Sequence, residues 1–247
     1  MNLIVEMLTN NRCYKTEKNI VPKGIMLHSV GCAQPNPDVF KKKWNSNSCS
    51  IGVHGIIGAD KCYQFMPWTK RGWHAGVAYK NGPSANDTHI GIEMTEPSTI
   101  KYIGGASFID LNPDASAAHV RKCYENAVAY FTYLCLKFNF NPMTDIISHA
   151  EGHAKKIASN HGDPTHLWKK YPNLGYTMDG FRKDVLEAMT GTGNNPSTFA
   201  REATRWAIEE GIFNGDGDGN YDWQLPLTRE QAAVILYRLY NNKGVSG

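Results

Sequence analysis

The sequence predicts an α/β domain, a mixed central β-sheet flanked by helices, followed by a small C-terminal helix-loop-helix module. Three observations carry this reading: short apolar runs that end in polar loops, long stretches of helical periodicity between them, and a glycine- and asparagine-rich break near residue 195. With 247 residues and 41% apolar composition, the chain can bury one full core and still carry an appendage.

Residues 25–28 (IMLH) follow Pro22 and Gly24 and read as a strand that enters the core and delivers His28 to a polar loop. Residues 52–57 and 62–66, separated by the turn-like Gly58-Ala59-Asp60-Lys61, read as a hairpin, and residues 89–94 as another short strand. From Asp114 to about Phe138, the residues Ala117, Val120, Tyr124, Ala127, Val128, Phe131, Leu134 and Phe138 recur at helical spacing, which predicts one long amphipathic helix on the sheet. Ile146, Ile147 and Ser148 form a short run that brings His149 to a strand or loop end. Residues 178–189 suit a closing helix with Phe181, Val185 and Met189 on one side. The stretch 190–197 (TGTGNNPS) has no apolar anchor, so it reads as a linker between a domain of residues 1–189 and a module of residues 198–247.

Composition removes several classes of function. The formal net charge is +3, and no block of like charges resembles a nucleic-acid arm or a polybasic membrane anchor; Lys41, Lys42 and Lys43 read as a solvated helix face. Neither nucleic acid nor membrane is therefore an expected partner. Residues 196–247 hold five Lys/Arg and seven Asp/Glu, so the preceding part is net basic and suits an anionic polymer. The N-terminus (MNLIVEMLTNNR) lacks the basic start and long apolar run of a signal peptide, and the expectation is a product made in the cytosol. Six cysteines without a CxxC pair point to reduced packing residues.

Nine histidines are many for this length, and His28, His149, His153, His161 and His166 frame a segment that also holds Asp163, a density that points to a metal. Catalytic zinc takes three protein ligands from imidazoles and carboxylates and keeps a fourth position for water. His119, alone on the long helix, reads as a surface or core residue. The run His149-Ala150-Glu151-Gly152-His153 spaces two histidines as a zincin helix does, but its glutamate stands one position too late and Gly152 weakens a helix.

The segments GIMLHS, SIGVHGIIGADKCYQ, RGWHAG, HIGIEM, and ISHAEGH followed by SNHGDP resemble, in order, the landmarks of the type-2 amidase family, which includes bacteriophage T7-like lysozymes and the peptidoglycan-recognition proteins. The resemblance covers roughly residues 20–187. It implies a peptidoglycan-recognition-protein-like fold and a zinc-dependent N-acetylmuramoyl-L-alanine amidase, with His28, His149 and Asp163 as ligands. Its catalytic carboxylate falls on Glu93, which would take a proton from water and pass it to the leaving nitrogen. Where the family often has an oxyanion-stabilising lysine, this sequence has His161, whose Nε2–H can still donate with a different pH dependence. The spacing from His149 to Asp163 is longer than in compact members, which leaves His161 and His153 as alternative third ligands. Trp73, His74 and His54 resemble groove residues that border substrate.

Residues 199–240 resemble a single S-layer-homology repeat, a unit associated with secondary cell-wall polymers. Ala203, Trp206 and Ala207 would share one face of its first helix, and Thr228 with Gln231 would form a capping box. The resemblance points to Trp206, Thr228 and Arg229 as wall contacts. Asp216, Asp218, Asn220 and Asp222 alternate like the start of a calcium loop, but Leu227 occupies its closing position and calcium is not expected. Such repeats usually act in threes, so a single copy implies pairing with copies on other chains, a homo-oligomer. The function expected is that of a phage endolysin released through a holin pore to cut peptidoglycan. The alternatives are a host autolysin or a non-catalytic peptidoglycan-binding protein on the same fold.

Overall fold

The computed structural model describes residues 1–16, 18–190, 196, 200–216, 221, 223 and 227–242. Two compact units divide the chain, Met1–Leu186 and Glu187–Gly247. Residues 191–195 and 197 of the expected linker, and Asp218, Asn220 and Asp222 of the calcium-like run, lie outside the described residues. Among the described residues no helix is long and apolar enough to cross a membrane.

The first unit is built on a six-stranded sheet in the order β1-β4-β3-β5-β2-β8, from β1 (Leu3–Val5), β2 (Gly24–Ser29), β3 (Gly55–Ile57), β4 (Cys62–Gln64), β5 (His89–Met94) and β8 (Ile146–Ser148). Only β3 and β4 pair antiparallel, so the sheet is mixed, as expected. A separate hairpin joins β6 (Ile100–Gly104) to β7 (Ser107–Asp110). The helices are α1 (Pro37–Trp44), α2 (Pro113–Phe138), α3 (Pro142–Asp145), α4 (His149–Ala154), α5 (Thr165–Trp168) and α6 (Met178–Thr190).

Alternation along the strands decides which helix covers which face. Ile56 and Tyr63, paired across β3 and β4, pack under Phe40 and Trp44 of α1 together with Leu8, Val53 and Phe65. The neighbouring Gly55 points the other way, against α2, where an added Cβ would come within 2.5 Å of the Tyr130 hydroxyl. That hydroxyl donates to the Tyr63 carbonyl at 2.9 Å, so the glycine lets α2 approach closely. Helix α2 starts where Asn112 accepts from Ala115 N–H and stops at Asn139 in the left-handed region. Its buried stripe includes the expected Val120, Tyr124, Ala127, Phe131 and Leu134 and adds Ser116, Cys123, Tyr130 and Cys135. Phe181 and Val185 of α6 are fully buried, and Phe181 makes an edge contact with Phe131. All six cysteines are free thiols, four of them buried.

In the second unit, α7 (Arg201–Glu209) and α8 (Arg229–Asn242) form the helical pair. The capping box stands at the start of α8: Thr228 N–H donates to Gln231 Oε1 at 2.8 Å and Gln231 N–H donates to Thr228 Oγ1 at 3.1 Å. Ala203, Trp206 and Ala207 fall at i, i+3 and i+4 of α7 and so share a face, as expected. On that face Ala207 is buried, where the chain turns back at Gly211 (φ 64°) and brings Ile212 N–H to the Ala207 carbonyl, whereas Ala203 and Trp206 are exposed.

His54, expected to border a groove, is instead a core residue with no exposure. Its Nδ1 accepts from Gly91 N–H at 3.0 Å and its Nε2–H donates to the Lys70 carbonyl at 2.7 Å, so it ties two backbone segments together. Burial pushes its pKa down from 6.5 to about 4, more than the hydrogen bond donated to the Lys70 carbonyl recovers. Between these values the unfolded chain binds a proton that the folded chain refuses. Stability is therefore complete above pH 6.5 and is lost as pH falls toward 4, by about 1.4 kcal/mol per pH unit. Urea unfolding at pH 7 and pH 4.5 should show a smaller acid loss in His54→Gln than in the unsubstituted chain; equal losses would contradict the assignment.

Candidate metal centre

Three parallel strands end side by side on the sheet, and each supplies one residue. His28 lies near the end of β2 in register with Glu93 of β5, and the pairing Leu27↔Ser148 places His149 next to His28 on the other side. In-register residues of parallel neighbours project to the same face, roughly 4.8 Å apart. His149 is held by its own helix start: Ser148 Oγ accepts from Glu151 N–H, and the Glu151 carboxylate accepts from Ser148 N–H at 2.8 Å. The buried Arg182 then donates to both Glu151 and the Ile146 carbonyl. Glu151 is thus a capping residue, which leaves the zincin arrangement without its base, and His153, whose Nδ1 lies 3.2 Å from the Ala158 carbonyl, is not among the residues whose ligand atoms converge.

The third residue arrives from the loop before α5. His28 Nδ1 lies 3.0 Å from His149 Nδ1 and 3.2 Å from Asp163 Oδ2, and His149 Nδ1 lies 3.6 Å from Asp163 Oδ1. A tetrahedral ion with bonds of about 2.0–2.1 Å separates its ligands by about 3.3 Å. Two imidazole nitrogens and a carboxylate at these separations suit such an ion, and they are the group of described residues that could hold one. Protonation agrees. Burial lowers the His28 pKa, favouring a neutral ring, while Asp163 is held well below the usual carboxylate range: burial opposes this, but its closeness to the two imidazoles of His149 and His28 wins. Of the alternatives for the third position, His153 does not converge with His28 and His149, and His161 meets the opposite nitrogen of His149, its Nδ1 lying 3.3 Å from Nε2.

These residues line a cavity of about 610 Å³ together with Trp73, His74, Glu93, Tyr102, His161 and His166. Glu93 Oε2 is buried without a hydrogen-bond partner. Its pKa is raised well above the ordinary value, chiefly by desolvation and further by the charges of Asp163 and Glu96. His161 is exposed, with Nδ1 turned to Ser159 Oγ at 3.0 Å and to His149. His149 Nε2–H can donate to that Nδ1, which leaves the proton of a neutral His161 on Nε2. Half-buried Trp73 carries the Arg12 guanidinium over its ring at 5.9 Å. His74 also faces the cavity, yet both its nitrogens are committed within the protein: Nδ1 to His28 Nε2 at 2.9 Å and Nε2 to the His89 carbonyl at 3.1 Å.

One wall was not expected from sequence. Tyr102 of β6 donates to the fully buried Glu96 at 2.8 Å and lies 2.7 Å from His166 Nε2, while Gly31 N–H donates to the other Glu96 oxygen at 3.1 Å. The only sequence signal was His166 among the clustered histidines; nothing in a lone Glu-Pro pair or in an exposed hairpin announces that they meet.

Comparison with known proteins agrees with this arrangement. Residues 18–166 match the family model Amidase_2, N-acetylmuramoyl-L-alanine amidase, and residues 192–233 match the S-layer homology domain. Among curated proteins, the 1,6-anhydro-N-acetylmuramyl-L-alanine amidase AmpD of Escherichia coli (strain K12) is 39% identical over 54 residues, 21% of this chain and 30% of that protein. The same protein of Citrobacter freundii is also 39% identical over 54 residues, 21% of this chain and 29% of that protein. The chain thus spans about three tenths of the length of the curated relatives it matches. The catalytic domain of XlyA shares the fold at 18% identity and a TM-score of 0.53, over 75% of this chain and 99% of that one. Staphylococcus aureus hydrolase AmiA does so at 14% identity and 0.53, over 76% and 82%. With its family model matched over more than half of its length, and with the strand ends arranged as described, the chain belongs to the N-acetylmuramoyl-L-alanine amidase family.

Proposed function

We propose that this chain is a zinc-dependent N-acetylmuramoyl-L-alanine amidase that hydrolyses the amide between N-acetylmuramic acid and L-alanine in peptidoglycan. The observation that carries the reading is the convergence of His28, His149 and Asp163 beside the carboxylate of Glu93, whose Oε2 has no hydrogen-bond partner among the described residues, on the neighbouring strand. Two nitrogens and an oxygen suit zinc, which when bound supplies a Lewis acid and lowers the pKa of water in its open position.

The chain's own residues do the rest. Glu93 takes a proton from the attacking water and returns it to the leaving amide nitrogen; its raised pKa and unpartnered Oε2 suit a group that must hold a proton between the two steps. His161, with Nδ1 turned inward, offers Nε2–H to the developing oxyanion. Trp73 forms the cavity wall available to sugar or peptide. His28→Ala and Asp163→Ala should lose both zinc, by elemental analysis, and release of muropeptides. Glu93→Gln and His161→Ala should keep stoichiometric zinc and lose rate by about 10²–10⁴-fold and about 10²–10³-fold respectively. Zinc-replete Asp163→Ala would overturn the ligand set.

The second unit is proposed to hold the enzyme on secondary wall polymer, in a phage endolysin released at lysis, with exposed Trp206, Thr228 and Arg229 as contacts. An exposed guanidinium and an exposed indole suit anionic glycan. The exposed Leu236, Tyr237 and Tyr240 of α8 support pairing with other copies of the repeat. The full chain should sediment with purified walls and stay in the supernatant once the secondary polymer has been stripped from them. Equal sedimentation with both would remove this role, and a monomer by analytical ultracentrifugation would remove the pairing.

A further inference from the structure

The environment of His28 extends beyond the three candidate ligands. Its Nδ1 faces His149 and Asp163, while its Nε2 lies 2.9 Å from His74 Nδ1, and His74 Nε2 lies 3.1 Å from the His89 carbonyl. The carbonyl can only accept. His74 Nε2 therefore carries a proton, the Nδ1 of the neutral ring presents its lone pair, and His28 Nε2 must be the donor across the 2.9 Å contact. A neutral His28 with its proton on Nε2 has the lone pair on Nδ1, the nitrogen that points at the other two ligands, so its 3.2 Å approach to Asp163 Oδ2 is one that a shared cation, not a hydrogen bond, satisfies. His149 lacks such a constraint, because its Nε2 meets Ser159 Oγ and His161 Nδ1, groups that can each give or take a proton.

The surroundings keep His74 in place. His74 N–H and Ala75 N–H both donate to Asn86 Oδ1, at 2.7 and 2.9 Å. The ring lies over β5 at Gly91, where an added Cβ would run into it, and against Gly72, where an added Cβ would come within 2.5 Å of its Cδ2. These glycines, part of the RGWHAG and HIGIEM segments, make room for one imidazole.

We propose that His74 is a positioning residue of the metal site: through its imidazole, the His89 backbone carbonyl holds His28 in the tautomer and orientation whose Nδ1 lone pair faces His149 and Asp163. The proposal rests on the reading of His28, His149 and Asp163 as metal ligands. It leaves His74 no ring nitrogen for a hydrogen bond to substrate, since both are used inside the protein.

The test is an equilibrium zinc titration of the full chain against a competing chromophoric chelator. His74→Phe keeps a ring of similar size and removes the acceptor, and should weaken zinc binding by about 10–100-fold, the usual scale for an outer-shell partner of a ligating histidine. His74→Gln retains an acceptor and a donor and should bind more tightly than the Phe variant. Gly91→Ala, which leaves His74 itself intact but displaces its ring, should weaken binding in the same direction and decides the matter if the Phe variant does not fold. Zinc affinity of a folded His74→Phe equal to that of the unsubstituted chain, or a Gln variant no better than Phe, would overturn the proposal. Absence of zinc binding in the unsubstituted chain would instead bring down the ligand reading, and the proposal with it.

Discussion

The parallel, in-register pairing of β5, β2 and β8 is the constraint on which the site depends. A one-residue slip in any of these strands would turn its terminal side chain to the opposite face of the sheet. With the observed register, His28 stands between Glu93 on one side and the start of α4 on the other, and a carboxylate from the loop before α5 completes the cluster. Much of the surrounding structure serves that register. Gly55 lets α2 come close to β3, His54 bonds the β5 backbone at Gly91 to the segment at Lys70, and Arg182 fastens the start of β8 to the cap of α4.

The electrostatics follow from the same geometry. Carboxylates and imidazoles drawn into one partly buried place disturb one another, and the disturbances have opposite signs: Asp163 is held ionised by its histidines, while Glu93, on the next strand with no partner for Oε2, is pushed toward its protonated form. Two carboxyl groups whose environments drive their pKa values apart are suited to different tasks, one to bind a cation and the other to carry a proton. A cation held by the triad would bring Glu93 back toward ionisation, so the raised value describes the chain's own contribution to the site.

The parts legible in the sequence were those where periodicity or an ordered motif carried the information. The long helix, the hairpin and the strand ends at His28 and His149 could be read from apolar spacing; the roles of Glu93 and Asp163 could not, and came from the resemblance in HIGIEM and SNHGDP, while the pairing of Glu93 with His28 was visible only in the structure. His54 was misread for a physical reason. A histidine between small residues looks the same whether its ring faces a groove or bonds two buried backbone groups, and only the positions of Lys70 and Gly91 distinguish the cases. Helical spacing put Trp206 on one face with Ala207, but not which of the two the turn at Gly211 would cover. The wall formed by Glu96, Tyr102 and His166 joins residues up to 70 positions apart, and no local pattern links them.

The central claim is that this site cuts the amide at the root of the stem peptide. Mass spectrometry of the soluble fragments released from purified peptidoglycan tests it most directly. The expected products are free stem peptides with an N-terminal L-alanine and glycan strands that gain no new reducing ends. Fragments that keep peptide attached to muramic acid and carry new reducing ends would contradict the account.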